Sequence, residues 1–237
     1  IFASGIPMME AVSANKLDGG FAPIVQVLQG FDGGIDVRFV CGGSLFDKDH
    51  DANAIVVAFN SSINSIEDLR GKIVCVGSYS AQPMAPMQLA LNRNGLTMDD
   101  VKFYVIQSSP TRLQALLSGT VDAAFLGEPY LTPALNAGQV RIIYRPLTEI
   151  FSDHKFQLST SFFAKAFIDK NKDAVNAFIK AYEKAVDWIN DHQTETRAIV
   201  ANWTGIDVEL TKKIIMPLFL KDVDQTGLHN IIDMLLE

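Results

Sequence analysis

The amino-acid sequence predicts an α/β fold whose mostly parallel sheets are flanked by helices. Residues 72–144 alternate short apolar runs with segments in which apolar residues recur at helical spacing. The connections between these segments are short and contain glycine, serine and asparagine. Hydrophobic residues make up 48% and charged residues 20% of the 237 residues, which suits a globular chain with one large or two small cores.

In the first third of the chain, prolines mark helix starts and glycines mark a helix end. Pro7 suits the first turn of one helix. Pro23 begins another, whose apolar residues recur at helical spacing until Gly33. Alternation of apolar and polar residues over 35–39 predicts a strand, and the apolar run 54–59 predicts a short buried strand.

The middle of the chain has the most regular pattern. A run that resembles a capping box begins at Ser65 and predicts a short helix that stops at Gly71. Beyond it we predict strands over 72–76, 102–106, 121–126 and 140–144, and helices over 81–94, 111–118 and 129–137. Apolar strands that alternate with helices in this way are typical of a largely parallel sheet.

The last third of the chain is predicted to be helical after one strand over 158–164. Apolar residues recur at helical spacing from Val175 to Ile189, which indicates a long amphipathic helix. Further helices are predicted near 194–203, 207–216 and 226–236.

Charge and cysteine content exclude several classes of partner. The formal net charge is -7, so nucleic acid and an anionic membrane surface are not expected as partners, whereas a local site could still bind a small anion. Cys41 and Cys75 each lie in an apolar strand-like run, and we expect two buried free thiols. The spacing of cysteine and histidine predicts no metal site, and no cofactor is expected.

No apolar run approaches the roughly 20 residues that span a bilayer. The chain begins with Ile1-Phe2-Ala3-Ser4-Gly5, a pattern typical of a strand end followed by a loop. We therefore expect that an N-terminal segment is missing, one that could include an export signal.

The strongest candidate binding feature is the junction between the strand 72–76 and the helix that follows it. Ser78, Tyr79, Ser80 and Ala81 connect the two, and in α/β sheets ligands bind beyond the carboxyl ends of the strands. A helix start offers unpaired backbone N–H groups and the positive end of the helix dipole, which favour an anion. The alternative is that one of the serines simply caps the helix.

Two further junctions repeat the pattern. Glu128 precedes Pro129 after the strand 121–126. Its carboxylate is expected to accept from a ligand, to bond across to another part of the chain, or to lie as a stabilising charge near a helix start. Ser4, Gly5 and Ile6 precede Pro7 and form a second anion-favouring junction in another part of the chain.

Two motifs in the middle of the chain carry a resemblance to a known family. The run Ser65–Ser78, SIEDLRGKIVCVGS, and the run Leu113–Ala123, LQALLSGTVDA, followed by Glu128-Pro129, match signatures of bacterial solute-binding proteins. Together they resemble the substrate-binding proteins of ABC transporters for nitrate, sulfonate, taurine and thiamine pyrimidines. The similarity covers most of the chain and is strongest from 62 to 138.

The resemblance implies a two-lobed, type II periplasmic-binding-protein-like fold. Lobe one would consist of 1–59, without the family's first elements, and 146–237, while 60–145 would form lobe two. The ligand would lie in a cleft between the lobes. The predicted ligand-binding residues are Ser4, Gly5, Ile6, Ser44 (in the Gly42–Ser44 break after the second strand), Ser78, Tyr79, Ser80, Ala81, Gln82 and Glu128.

The resemblance also implies a function. We expect an extracytoplasmic solute-binding protein of an ABC importer, periplasmic or anchored as a lipoprotein, monomeric, with a membrane permease as its partner. The ligand would be a small nutrient such as a sulfonate, nitrate or a pyrimidine; Glu128 favours a ligand with N–H donors. The alternatives are a pyrimidine- or menaquinone-biosynthesis-type enzyme on the same fold and the ligand-sensing domain of a regulator. No catalytic residue is predicted.

Overall fold

The computed structural model describes residues 5–79, 81–150 and 154–236; for residues 81–83 it describes the backbone only. Its strands are β1 (Gly19–Pro23), β2 (Val37–Cys41), β3 (Ser44–Phe46), β4 (Asn53–Ala58), β5 (Ile73–Val76), β6 (Lys102–Val105), β7 (Ala123–Gly127), β8 (Val140–Tyr144), β9 (Phe156–Gln157), β10 (Ser159–Ala164) and β11 (Leu218–Phe219).

Its α-helices are α1 (Gly5–Ser13), α2 (Ile24–Asp32), α3 (Ala81–Arg93), α4 (Ser109–Leu117), α5 (Leu131–Asn136), α6 (Pro146–Ile150), α7 (Lys165–Lys170), α8 (Lys172–Asp191), α9 (Gln193–Thr204), α10 (Val208–Thr211) and α11 (Gln225–Leu236). Short 3-10 helices cover Glu67–Leu69 and Met98–Asp100.

The chain divides into two compact units. Unit 1 holds the described residues up to Phe46, His154–Thr196 and those from Pro217 onward. Unit 2 holds the described residues between Asp47 and Ile150, together with Arg197–Met216.

Unit 2 is built on a five-stranded sheet in the order β6-β5-β7-β4-β8. The strands β6, β5 and β7 are parallel to one another. Strand β4 is antiparallel to both β7 and β8, so four of the five strands run in one direction. The predicted class, helices flanking a mostly parallel sheet, is confirmed.

The sheet of unit 2 is apolar on both faces, as its uninterrupted apolar strands predict. Residues of β4 alternate between two buried clusters: Ile55 and Val57 pack with residues of α3 such as Met87 and Leu91. The second cluster lies on the opposite side of β4 and contains Ala54, Val56, Cys75, Leu116, Leu126 and Leu131. Burial of this kind stabilises the fold by roughly 25 cal/mol for each Å² of apolar surface removed from water.

Unit 1 contains two three-stranded sheets, β1-β10-β2 and β11-β3-β9, in which every strand pair is antiparallel. Helices α1 and α2 contribute Met9, Val12 and Val27 to a buried cluster with Val37 and Phe162 of the first sheet. Strands β9 and β10 also bury polar side chains, including Gln157, Thr160 and Ser161, at 0–1% exposure.

Several elements differ from the sequence predictions. The sequence does not predict strand β1, because Gly19 and Gly20 give it no apolar alternation. The Gly42–Ser44 break is short, since β3 already begins at Ser44. Helix α5 begins at Leu131, two residues after the predicted start at Pro129, which follows a cis peptide bond.

The predicted helix at Ser65 is a 3-10 turn whose cap differs from the expected capping box. The carboxylate of Asp68 accepts from the backbone N–H of Asn64 at 2.7 Å and of Ser65 at 3.2 Å. Gly71 ends the turn at φ +73°, a conformation that costs residues with a Cβ about 1–2 kcal/mol.

Cys41 and Cys75 are both free and buried, as predicted. Within the described ranges, no helix is both long and apolar enough to cross a membrane.

Candidate functional site

In unit 2 the predicted binding residues lie at the carboxyl ends of parallel strands. Strand β5 ends at Val76 and leads through Ser78 and Tyr79 into α3, while β7 ends at Gly127 and leads through Glu128 into α5. Since β5 and β7 are neighbours that run in the same direction, both connections lie at one edge of the sheet. This is the edge at which open α/β sheets bind ligands.

The loop between β5 and α3 exposes one of its predicted residues. Tyr79 is 64% exposed, and its hydroxyl donates to the Phe103 carbonyl oxygen at 3.0 Å. Ser78 is half-buried. Ser80 lies outside the described residues, as do the side chains of Ala81 and Gln82. Helix α3 has no acidic residue in its first turn, so its dipole is not offset there.

A buried arginine that the sequence pattern does not reveal lies beneath this loop. Arg112 is 7% exposed and belongs to α4, a helix whose predicted inward residues are leucines. Its Nη1 donates to the carbonyl oxygens of Ile106 at 2.7 Å and Gln107 at 2.9 Å. Its Nε donates to the Phe125 carbonyl at 3.1 Å, and its Nη2 donates to Ser109 Oγ at 2.6 Å.

Glu128 is held by the start of α5 and by a second segment of unit 2. Its carboxylate accepts from the Thr132 backbone N–H at 3.2 Å and, in a short contact, from the Thr132 hydroxyl. The Ile215 N–H donates to its Oε1 across 3.4 Å. Among the roles expected for Glu128, the two bonds from Thr132 fit a stabilising charge near a helix start. The ligand contact and the bond across to the other lobe stay predictions.

In unit 1, the start of α1 is bonded within the protein. The Gly5 N–H donates to Oε1 of Gln26 at 2.7 Å, and Gln26 is itself 4% exposed in the first turn of α2. A Cβ at position 5 would lie 2.4 Å from that oxygen, so glycine is needed there for the close approach. Ile6, the next predicted residue, is 46% exposed, and Ser4 lies outside the described residues.

Ser44 forms a pair of hydroxyl and amide bonds with a neighbouring strand of unit 1. Its N–H donates to Ser159 Oγ at 2.8 Å, and the two hydroxyl oxygens are 2.7 Å apart. Ser159 also pairs with Pro23, the residue before α2, which carries Gln26. The predicted residues Gly5 and Ser44 are therefore linked to the same end of β1 through Gln26 and Ser159, two residues that the sequence pattern does not single out.

At the edge where β5 and β7 end, the described residues offer hydrogen-bond donors and the start of a helix. Among them, no cluster of three or more His, Cys, Asp or Glu is placed to hold a metal ion. A groove of about 230 Å³ in unit 1 is lined by Leu28, Phe31, Val37, Arg38 and Phe39, which are not among the predicted ligand-binding residues.

Two named relatives share the sequence over most of this chain. A protein of Bacillus subtilis named as an aliphatic sulfonates-binding protein is 28% identical over 216 residues, covering 90% of this chain and 62% of its own length. An Escherichia coli protein with the same description is 24% identical over 205 residues, covering 86% of this chain and 61% of its own. The chain thus spans about three-fifths of the length of these curated relatives.

Solved structures share the fold. The periplasmic aliphatic sulphonate binding protein SsuA of Escherichia coli superposes with a TM-score of 0.71 at 23% identity, covering 90% of this chain and 70% of its own. The alkanesulfonate-binding protein SsuA of Xanthomonas axonopodis pv. citri, solved with MOPS bound, gives 0.72 at 18% identity, covering 90% and 71%. The predicted periplasmic-binding-protein fold is confirmed.

The sequence profile of the family described as NMT1/THI5 like matches residues 5–196, which is most of the chain and includes the edge where β5 and β7 end. The chain therefore belongs to the NMT1/THI5-like family.

Proposed function

We propose that this chain is the extracytoplasmic solute-binding component of an ABC importer and that its ligand is a small sulfonate. The observation that carries the proposal is the family match over residues 5–196, joined to two relatives whose names both specify aliphatic sulfonates. The protein would capture and release its ligand without changing it.

The geometry of unit 2 supports an anionic group at the start of α3. Ser78 brings a hydroxyl to this edge, the start of α3 brings backbone N–H groups, and the first turn of α3 has no acidic residue. The Tyr79 hydroxyl already donates to the Phe103 carbonyl, so Tyr79 stays a proposed contact through its backbone or ring. A sulfonate, with three acceptor oxygens and one negative charge, suits such donors. Ser80, Ala81 and Gln82 remain proposed contacts at the same junction.

The bonds of Glu128 weaken one argument for an aminopyrimidine as the ligand. A free carboxylate at this edge would favour a ligand with N–H donors. The carboxylate of Glu128 already accepts from the N–H and hydroxyl of Thr132 and from the N–H of Ile215. It therefore has less capacity left to accept from N–H donors of a ligand. A second set of ligand contacts is proposed to come from Ser4, Gly5, Ile6 and Ser44.

An enzyme on this fold is the alternative of a different class. That alternative would use a cysteine-rich motif, whereas this chain has Cys41 and Cys75, both buried. The names of the relatives, which describe binding proteins, favour the transport role.

We further propose a membrane permease as the partner, a periplasmic or lipoprotein-anchored location and a monomeric state. The lobe boundaries, 1–59 with 146–237 and 60–145 between them, are part of the same proposal.

The proposal is tested by isothermal titration and thermal unfolding with ethanesulfonate, taurine, MOPS, nitrate and an aminopyrimidine. A ligand present at about 100 times its Kd should raise the Tm by roughly 5–10 °C. We expect the sulfonates to give the largest shifts. A preference for the aminopyrimidine would refute the sulfonate assignment, and turnover of any compound would favour the enzyme.

Site placement is tested by Ser78→Ala and Ser80→Ala, which should each weaken sulfonate binding about tenfold, as expected for losing one hydrogen bond to a charged group. Ser118→Ala is the matched control, since its exposed hydroxyl bonds near the end of α4, to the Ala115 carbonyl and Thr120. Equal affinity in all three variants would place the ligand elsewhere.

A further inference from the structure

Arg112 joins the ends of two parallel strands at the edge where the ligand is proposed to bind. Its guanidinium bonds to carbonyl oxygens of Ile106 and Gln107, just after β6, and of Phe125 in β7. It also lies against the loop that leaves β5, because a Cβ on Gly77 would come within 2.9 Å of Nη1. The cation thus lies directly under the connection to α3.

Within the described residues, the positive charge of Arg112 is not balanced by a carboxylate. Its partners are three carbonyl oxygens and one hydroxyl, and no ion pair involving it occurs in the part of unit 2 that the structure describes. By contrast, the exposed Arg70 of the same unit is paired with Asp100. A buried charge without an opposite charge is costly, and it creates a strong local field.

Arg112 keeps its positive charge, and the first turns of the two helices that begin at this edge add no negative charge. Burial lowers the pKa of the guanidinium, yet arginine remains protonated at neutral pH in proteins. Helices α3 and α4, which begin at this edge, have no acidic residue in their first turns. The carboxylate of Glu128 at the same edge carries a negative charge, and its hydrogen bonds direct it to the start of α5 and to the Ile215 N–H.

We propose that Arg112 is a positioning residue that makes this site select an anion: it holds the Gly77 loop from beneath and supplies a fixed positive charge behind the α3 start. The inference rests on the proposed function and deepens it. A hydrogen-bonding site alone binds a sulfonate and a neutral sulfone by the same oxygens. A fixed charge adds to the affinity of the charged ligand only.

The test compares ethanesulfonate with ethyl methyl sulfone, which has a similar shape and no charge. The measured quantity is the ratio of their dissociation constants, obtained by titration and by displacement. Arg112→Gln should lower the preference for ethanesulfonate by about tenfold, as expected for one charge at an intermediate dielectric constant. Arg112→Lys keeps the charge and should keep the preference within about twofold, even if both affinities fall.

A purely structural role predicts a different result, because loosening the loop weakens both ligands equally. An unchanged ratio in Arg112→Gln, or an equal loss of the ratio in Arg112→Lys, would overturn the inference. If Arg112→Gln does not fold, Arg112→Met serves instead: it fills similar volume without the charge, so it should lower the ratio, and an unchanged ratio in the folded variant refutes the role. If the unmodified chain binds neither ligand, the proposed function itself fails, which is a distinct outcome.

Discussion

The two units differ in the side chains that bury their sheets. Unit 2 covers both faces of one sheet with apolar clusters, and β4 contributes side chains with 0% exposure to each of them. Unit 1 uses two small antiparallel sheets and buries hydroxyl and amide groups in β9 and β10. The sheet of unit 2 therefore depends on apolar volume, whereas the strands of unit 1 also bury polar side chains, some of them hydrogen-bonded.

The largest effect is expected from removing apolar volume in unit 2. Leu126→Ala should lower the free energy of unfolding by about 2–5 kcal/mol, because Leu126 has 0% exposure and lies between packed elements. Urea denaturation measures this loss in the free energy of unfolding. Leu117→Ala, at 36% exposure, is the control and should cost less. Equal costs would mean that the cluster is not tightly packed.

A pH effect should come from Cys41 in unit 1. Burial first, and then the charges of Glu183 and Asp222, raise the pKa of its thiol from 9.0 to about 11. The folded state therefore holds this proton more tightly. The stabilisation is complete below pH 9 and is lost as the pH rises to about 11, amounting to about 2 kcal/mol.

This contribution is isolated by comparing the unmodified chain with Cys41→Ala. Burial, and then the charge of Cys41, raises the pKa of the nearby Tyr182, so only the difference between the two unfolding curves isolates the thiol. A constant difference from pH 8 to pH 11 would contradict the prediction.

Neighbouring hydroxyls of β10 give the sharpest test of polar burial in unit 1. Thr160 Oγ1 donates to the Cys41 carbonyl at 2.9 Å, whereas Ser161 Oγ is buried with no hydrogen-bond partner among the described residues. Thr160→Val should therefore cost about 1–2 kcal/mol, while Ser161→Ala should be neutral or slightly stabilising. Thermal unfolding checks both, and a Ser161→Ala loss as large as that of Thr160→Val would refute the distinction.

The smallest effect concerns a turn of unit 2. Gly71 has φ +73°, and no atom of the described residues would lie within 4 Å of a Cβ added there, so steric contact plays no part. Gly71→Ala should cost about 1 kcal/mol through backbone strain alone. Gly71→Asn, which tolerates this conformation better, should cost less. The reverse order in chemical denaturation would show that strain is not the cause.

The same contrast explains how far the sequence predicts the structure. The strands and helices of residues 72–144 are predicted to within a few residues because each strand is an apolar run bounded by turn residues. Strand β1 is not predicted because its glycines carry no pattern, and the polar residues of β10 resemble a solvent-facing strand. Pairing partners, such as β4 with β7 and β8, depend on long-range contacts that no local pattern encodes.

The candidate site is predicted in part. The junctions at Ser78 and Glu128 do lie at one edge of the sheet, because neighbouring strands that run the same way end together. The sequence does not reveal Arg112 and Gln26, since a polar residue within an apolar helical pattern normally faces water. Their burial follows from tertiary bonds to distant segments, to Phe125 and Gly5.

The reversed strand β4 also imposes an order on biosynthesis. It is translated well before β7 and β8, the strands that flank it on either side. Until β7 has emerged from the ribosome, the apolar run Ala54–Val57 has neither of its partner strands, although all four side chains have 0% exposure in the finished sheet. We therefore expect this apolar segment to stay unpaired while residues 59–122 are synthesised, and to be exposed to contacts with other chains during that time.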